Sequence, residues 1–323
     1  APISARRATA VPGVMADVDQ SPERVRAIAR AGYVFLLPLL ANYSAMYAEA
    51  IDTSSTAFGG GFGRWTHRRA VSLEGDLATR HHTTLVSSSW LDVRAEPWVL
   101  SVPTVCSERR TVVTDLWGFV LDEAGAPDRP VVIATQGWVG SIPSDTGGVA
   151  RAESAFVRCQ TRARIPDPLD PAAARRIEGS YRLEPVSIWS GGLPAPPAPT
   201  LRWWPVDTDT MAGMSFWSAA TFALTLTTAS DEDRGILDRL TEIGIAPGAH
   251  WEEGELAAEL ADAIGEGMDD ALNDLMRAAA PTGGHTPARR SRRDTDRDYF
   301  TRALATLGTF PLIGAPAGTG PLT

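Results

Sequence analysis

The histidines are the side chains of this 323-residue chain best suited to moving protons. His67 lies close to Trp65, and His81 and His82 stand together before a serine-rich run. Imidazole has an unperturbed pKa of about 6.5, so a histidine that faces a pocket can act as a general acid or base. Neighbouring residues of a strand point to opposite faces, so at most one of His81 and His82 would face a pocket. The alternative is that this pair lies at the surface and that His67 is packed and hydrogen bonded.

Asp115 is a further candidate catalytic residue, because it interrupts the apolar run TVVTDLWGFV. A carboxylate in apolar surroundings needs a charged partner, or its pKa shifts. Arg158 and Arg162 lie on another predicted strand and could provide that partner. In a functional interpretation, Arg158 and Arg162 are substrate-binding residues whose guanidinium groups hold an anionic substrate or leaving group. In a structural interpretation, a buried ion pair fixes the register of the sheet.

Aromatic and hydroxyl side chains could complete such a pocket. Trp65, Trp90 and Trp117 could line an apolar, substrate-binding cavity, and core packing explains them equally well. The three serines at 87–89 are not set in a GxSxG elbow, so the sequence does not predict a serine nucleophile.

The sequence predicts neither a metal nor a cofactor. It contains no HExxH or CxxC motif, and we interpret His250, which precedes an acidic stretch, as a helix cap. All 30 basic residues are Arg. Without Lys, the chain can form neither a Schiff base nor the lysine contact of a P-loop. The two cysteines, Cys106 and Cys159, are interpreted as small buried side chains.

The formal charge of −9 is concentrated in residues 231–279, which contain 14 acidic and three basic residues. This segment is helical by pattern, so its charge predicts a solvated helix face. Because no basic stripe with interleaved aromatic residues is apparent, we expect no nucleic-acid partner.

The apolar residues give no sign of a membrane protein. The longest apolar run, residues 31–41, is shorter than the roughly 20 residues of a spanning helix, and the first residues lack the apolar core of a signal peptide. We therefore expect a cytoplasmic protein without membrane contact. The chain begins with Ala, which is also compatible with removal of a preceding segment.

The spacing of apolar residues predicts β-structure flanked by helices. From about residue 68 to 160, short β-prone runs alternate with Gly, Pro and charged turns, which favours an antiparallel sandwich or barrel. An N-terminal helix is predicted to begin at Pro22 and to break or kink near Pro38. Apolar stripes at helical spacing predict further helices after residue 206.

Several segments, in this order, resemble the family known as domain of unknown function 1254. They are Trp65-Thr66-His67, TTLVSSSWLDVRAEPWVLSVP, Thr114–Gly118, Gly137–Gly140, Arg162, Asp170, SYRLEPVS and IGIAPG. The resemblance implies a jelly-roll-like β-sandwich with an attached helical part. Family members usually continue into a second β-domain, numbered 1214, and several resemble homo-oligomers.

This sequence departs from the family pattern in two places. The family usually has Asn-x-Asp-Thr-x-Tyr where residues 81–86 read HHTTLV, so any metal or carboxylate role of that motif is in doubt here. The companion 1214 domain is also largely absent. A homo-oligomer or a partner chain is expected to cover the apolar surface that this domain would bury. The alternative is a core that has been trimmed and repacked.

The predicted fold class is therefore α+β or mainly β, a jelly-roll-like antiparallel β-sandwich with an N-terminal helix and a C-terminal helical segment. The predicted organisation is a flexible N-terminus over 1–20, a helix and sandwich domain over 21–205, a helical segment over 206–310 and a flexible tail over 311–323.

The predicted function is a cofactor-independent, non-redox enzyme that acts on a small molecule, in a role such as specialised metabolism. Elimination, cyclisation with loss of an anion, and hydrolysis all suit a histidine base with arginines that hold negative charge. The alternative is a non-catalytic binding or scaffold subunit that stabilises a partner enzyme. A metal-dependent enzyme is the weakest hypothesis.

Overall fold

A computed structural model of the chain describes residues 21–71, 83–103, 109–124, 129–165, 170–279 and 298–307. The predicted terminal segments 1–20 and 311–323 lie outside these residues. Two β-sheets and a layer of helices make up the described part of the chain.

The larger sheet has five strands in the order β1-β2-β8-β4-β5, and every neighbouring pair is antiparallel. Its strands are β1 (Thr66–Val71), β2 (Thr83–Asp92), β4 (Arg109–Asp115), β5 (Val120–Ala124) and β8 (Phe156–Arg164). The apolar run around Asp115 is thus two strands joined by a turn.

The smaller sheet has the order β7-β6-β3-β9. Its strands are β3 (Trp98–Ser101), β6 (Val131–Thr135), β7 (Val149–Ala152) and β9 (Arg182–Pro185). Strands β6 and β7 are parallel, an exception to the predicted antiparallel arrangement. Apolar side chains from both sheets, such as Val157 and Ile133, form a common buried cluster. The predicted sandwich is therefore confirmed.

The helices contribute more of the described residues than the strands do, so the α+β form of the prediction is the correct one. They are α1 (Pro22–Met46), α2 (Pro171–Glu178), α3 (Val186–Trp189), α4 (Thr208–Ala212), α5 (Ser215–Leu224), α6 (Arg234–Thr241), α7 (Ala258–Ala279) and α8 (Tyr299–Leu307). Helices α4 to α8 all contact α1, which makes α1 the centre of the helical layer.

The predicted break near Pro38 is wrong, because α1 is helical from Pro22 to Met46. A proline inside a helix removes one backbone hydrogen bond and costs about 3 kcal/mol. Leu37 and Leu39 on either side of it are fully buried, so tertiary packing outweighs this cost. A single π-helical turn, Tyr47–Ile51, extends α1 towards the larger sheet.

The helix over Pro22–Ile51 is long and apolar enough to cross a membrane, by length and composition alone. An uninterrupted apolar run in the sequence does not reveal this span, because polar residues interrupt it. Of the most apolar stretch, 61% is buried inside the protein. That burial is the behaviour of a core helix, and a signal sequence would satisfy the same length criterion.

Helix α7 packs against α1 at Gly267. A Cβ atom at this position would lie 2.5 Å from the carbonyl oxygen of Arg26 and 2.8 Å from the Cβ of Ala29. The absence of a side chain therefore lets the two helix backbones approach closely. Gly265, on the same helix, has no atom within 4 Å of its equivalent position.

These two glycines give a matched pair of substitutions. We expect Gly267→Ala to lower the free energy of unfolding by roughly 1–3 kcal/mol, because a backbone atom must move to admit the methyl group. Gly265→Ala is expected to raise it by about 0.5–1 kcal/mol through helix propensity alone. Urea unfolding followed by circular dichroism measures both. Equal effects of the two substitutions would contradict the close approach of α1 and α7.

Candidate functional site

A row of polar side chains crosses the inner face of the larger sheet. The backbone register aligns His67, Ser87, Thr161 and Thr111 on strands β1, β2, β8 and β4. Because side chains alternate along a strand, all of them share the face that carries Val157 of the sandwich core. The three hydroxyl residues are at most 1% exposed.

Hydrogen bonds join this polar row in pairs. His67 Nδ1 lies 2.8 Å from Ser87 Oγ, and the Oγ1 atoms of Thr111 and Thr161 are 3.1 Å apart. Apolar clusters lie on both sides of the row. One contains Cys159 and Val113, and the other contains Leu85 and Ala163. The polar row therefore divides the interior of the sandwich.

His67 occupies the outer end of the row, because β1 is an edge strand. The His67 side chain remains exposed to solvent and lies near two aromatic side chains, with ring centroids 6.5 Å from Trp65 and 6.4 Å from Tyr181. Partial desolvation of the ring lowers the pKa of His67, and the negative charge of Glu178 opposes this effect only in part. The imidazole is therefore mainly neutral at neutral pH, as a general base must be.

Two buried polar atoms beside the row have no hydrogen-bond partner within the described part of the chain. They are Ser89 Oγ and Trp65 Nε1. Thr66 pairs with Ser88, so the backbone register brings Trp65 next to Ser89. Buried donors are almost always satisfied in proteins, and unsatisfied ones often mark a missing water or ligand. The roles of Ser87 and Ser89 were not predicted from the sequence, because nothing local distinguishes a buried polar serine from a nucleophile.

Arg158 and Arg162 lie on the outer face of the same sheet, opposite to His67. Arg158 pairs in register with Trp90 on β2, one position away from the inner-facing residues. Its guanidinium group donates to Glu49 Oε1 at 2.9 Å and to Ser88 Oγ at 3.1 Å. The predicted ion pair between Asp115 and Arg158 is therefore wrong, and neither arginine can act together with His67.

Glu49 connects the end of α1 to the larger sheet and was not predicted as a site residue from the sequence. It lies on the π-helical turn after α1 and accepts a hydrogen bond from Trp90 Nε1 at 2.8 Å, as well as from Arg158. The Arg158 guanidinium carbon also lies 5.5 Å from the centroid of the Trp90 ring. These contacts tie the end of α1 to the larger sheet, which favours a structural role for Arg158.

Asp115 is fully buried and closes the turn between β4 and β5. Its carboxylate accepts hydrogen bonds from the backbone N–H of Phe119 at 3.0 Å and of Glu153 at 3.3 Å. Burial raises the pKa of Asp115 to about 6, although these hydrogen bonds and the charge of Arg302 on α8 lower it. The positive charge that acts on Asp115 is therefore that of Arg302, which is 187 residues away in the sequence, and not that of Arg158.

The three tryptophans predicted to line one cavity lie in two different parts of the protein. Trp90 and Trp117 are each 2% exposed and belong to the helical core around α1. Trp65 packs inside the sandwich, against the two apolar clusters on either side of the polar row. His81, His82 and Cys106 lie outside the described residues, while Cys159 is buried as predicted.

A groove lies elsewhere, between helices α1, α6, α7 and α8. It encloses about 970 Å³ and is open to solvent. Its walls combine apolar residues such as Val34 and Phe300 with charged residues such as Arg239 and Glu232. None of the site residues predicted from the sequence lines it.

These features define an α+β protein in which a two-sheet sandwich carries a polar site and a helical layer supports it. Residues 62–185 match the family described as "Protein of unknown function (DUF1254)". The match confirms the resemblance predicted from the sequence over these residues.

Comparison with solved structures gives the same fold. The VPA0106 protein from Vibrio parahaemolyticus superposes with a TM-score of 0.68 at 20% sequence identity. The superposition covers 90% of this chain and 68% of that protein. No curated protein matches the sequence. At this level of identity the likeness concerns the fold alone.

The raised pKa of Asp115 predicts how stability depends on pH. Between about pH 4 and pH 6 the folded chain keeps a proton that the unfolded chain has lost, so stability falls as the pH rises through this range. The shift corresponds to roughly 3 kcal/mol. We expect the difference in unfolding free energy between the natural chain and Asp115→Asn to change by about this amount from pH 4 to pH 7.

Urea titrations at several pH values measure this difference. Asp238→Asn, which alters an exposed carboxylate, is the control and should give a much smaller change. An identical pH dependence for the natural chain and Asp115→Asn would show that Asp115 is not the buried titrating group.

Proposed function

We propose that this chain is a cofactor-independent enzyme that uses His67 to move a proton on a small-molecule substrate. The observation that supports it most directly is the solvent-accessible imidazole of His67, whose Nδ1 lies 2.8 Å from Ser87 Oγ at the edge of the sandwich. A base with a lowered pKa, fixed by a second side chain and flanked by aromatic rings, is suited to general acid–base catalysis.

Ser87 has the role of a positioning residue in this proposal. When His67 donates its Nδ1–H to Ser87 Oγ, the lone pair of Nε2 is available to accept a proton from the substrate. Ser87 is completely buried, which argues against a role as the nucleophile. The arrangement resembles the base and orienting group of a catalytic triad without its nucleophile.

Proton transfer by an exposed histidine suggests the kind of reaction. Ser89 Oγ and Trp65 Nε1 are buried, as Ser87 is, so the proposal assigns them no contact with the substrate. Elimination, cyclisation with loss of an anion, and hydrolysis of an ester or lactone all fit this scheme. Because Arg158 and Arg162 lie on the outer face, the proposal no longer assigns substrate binding to them.

Turnover by His67 variants tests this proposal. The purified chain is incubated with a panel of esters, lactones and β-substituted ketones, and products are detected by mass spectrometry. For any compound that is converted, His67→Gln is expected to lose about 10²- to 10⁴-fold in rate, because a positioned base contributes that much. Arg68→Gln, which alters an exposed side chain on the opposite face of the same strand, is the control.

Ser87→Ala separates positioning from catalysis. We expect a smaller loss of turnover rate, roughly 10- to 100-fold, because a misplaced base is less effective. We also expect the pH dependence of the turnover rate to change, since His67 Nδ1 loses its hydrogen bond to Ser87. NMR titration should give a pKa of His67 below about 6.5 in the natural chain. Full turnover by His67→Gln would exclude this mechanism.

The second candidate function, a binding or scaffold subunit, is favoured by exposed apolar side chains. Val139 is 95% exposed and Leu193 is 88% exposed. They belong to two segments that are joined by a hydrogen bond from Trp189 Nε1 to Asp145 at 3.0 Å. A homo-oligomer or partner chain on this surface is part of our proposal, as is a cytoplasmic location.

Light scattering after size-exclusion chromatography tests this surface. If Val139 and Leu193 lie in an interface between copies, the double substitution Val139→Asp and Leu193→Asp should convert an oligomer to a monomer, because charges in an apolar interface are unfavourable. Ser144→Asp, on the same exposed segment, should leave the mass unchanged. An unchanged oligomer in the double variant would contradict this interface.

A further inference from the structure

We propose that His250, Glu252 and Glu255 form a binding site for a divalent transition-metal ion, with Zn²⁺ as the best match. His250 Nε2 lies 3.6 Å from Glu252 Oε1 and 3.5 Å from Glu255 Oε1. All three possible ligand atoms lie within 4.8 Å of one another. The site is separate from the polar row of the sandwich and lies between helices α6 and α7.

The spacing of these atoms is close to that of ligands around zinc. Nitrogen and oxygen ligands bind Zn²⁺ at about 2.0–2.2 Å in a tetrahedral arrangement, which places them roughly 3.3–3.6 Å apart. The two histidine–glutamate distances, 3.5 and 3.6 Å, therefore need little or no adjustment. Three protein ligands leave a fourth position for water.

The local backbone explains why the two glutamates converge. Residues 253–255 form a 3₁₀ turn, in which Glu255 N–H donates to Glu252 O at 3.1 Å. Glu252 is the extended residue before this turn and Glu255 is its last residue, so the turn brings the two carboxylates close to each other. Glu253 is not part of the cluster.

A buried residue anchors the cluster to the helical layer. Trp251, between His250 and Glu252, is 5% exposed and donates from Nε1 to Ile243 O at 3.1 Å. Its own carbonyl accepts a hydrogen bond from Ser218 Oγ at 2.7 Å. The backbone that carries the three ligands is therefore fixed before any metal binds, which reduces the entropy that binding must remove.

The chemistry of the ligands indicates the class of metal. An imidazole nitrogen favours zinc, nickel or copper, whereas magnesium and calcium prefer oxygen ligands alone. Among the described residues, His250 has polar contacts only with these two glutamates, so the helix cap predicted from the sequence is not formed. The surrounding segment 231–279 has 14 acidic residues and three basic ones, which attracts cations to the site.

Isothermal titration of the metal-free full chain with Zn²⁺ tests the site. His250→Ala, Glu252→Gln and Glu255→Gln are each expected to weaken the binding at this site at least about 10-fold. Glu253→Gln removes the same charge from the same turn without removing a ligand, so it should bind Zn²⁺ as the natural chain does. Excess Mg²⁺ should not compete.

Thermal unfolding provides a second measurement. Zn²⁺ should raise the unfolding temperature of the natural chain and of Glu253→Gln, and should raise it less in His250→Ala, because an ion that binds the native state stabilises it. Since the three ligands are exposed, these variants should fold normally, as circular dichroism can verify. Equal Zn²⁺ affinity in the natural chain and all three ligand variants would overturn the proposal. Equal weakening by Glu253→Gln would also overturn it, because diffuse charge would then explain the binding.

Discussion

The burial of helix α1 is the constraint on which the rest of this structure depends. Helices α4 to α8 contact it, and its core residues are part of the same cluster as Trp90 and Phe156 of the larger sheet. The turn at its end places Glu49 against Arg158. A helix this apolar must be covered on most sides, so it holds the helical layer and the sandwich together.

The alternation of side chains along β-strands determines what the candidate site can contain. His67 and Ser87 face inwards, whereas Arg158 and Arg162 face outwards from the same sheet. A shift of one residue in the register would exchange the two sets. The chemistry available around His67 is therefore that of an imidazole, hydroxyl groups and an indole, without a guanidinium group from the neighbouring outer face.

Much of the fold could be predicted, because it depends on local periodicity. The helix from Pro22, the apolar stripe of α7 and the serine-rich strand β2 were all apparent in the sequence. The site was predicted only in part. His67 and Trp65 were identified, but Glu49 was not, because its partner Arg158 is 109 residues away and nothing local links them.

The sequence by itself determined the types of element, the sandwich with flanking helices and the family resemblance, because hydrophobic spacing and turn residues act over a few positions. Only the tertiary structure decided the distant partners, such as Ser87 for His67 and Glu49 for Arg158. It also decided that α1 continues through Pro38. The physical reason is that pairing and burial depend on which distant segments meet, and their contacts outweigh local preferences.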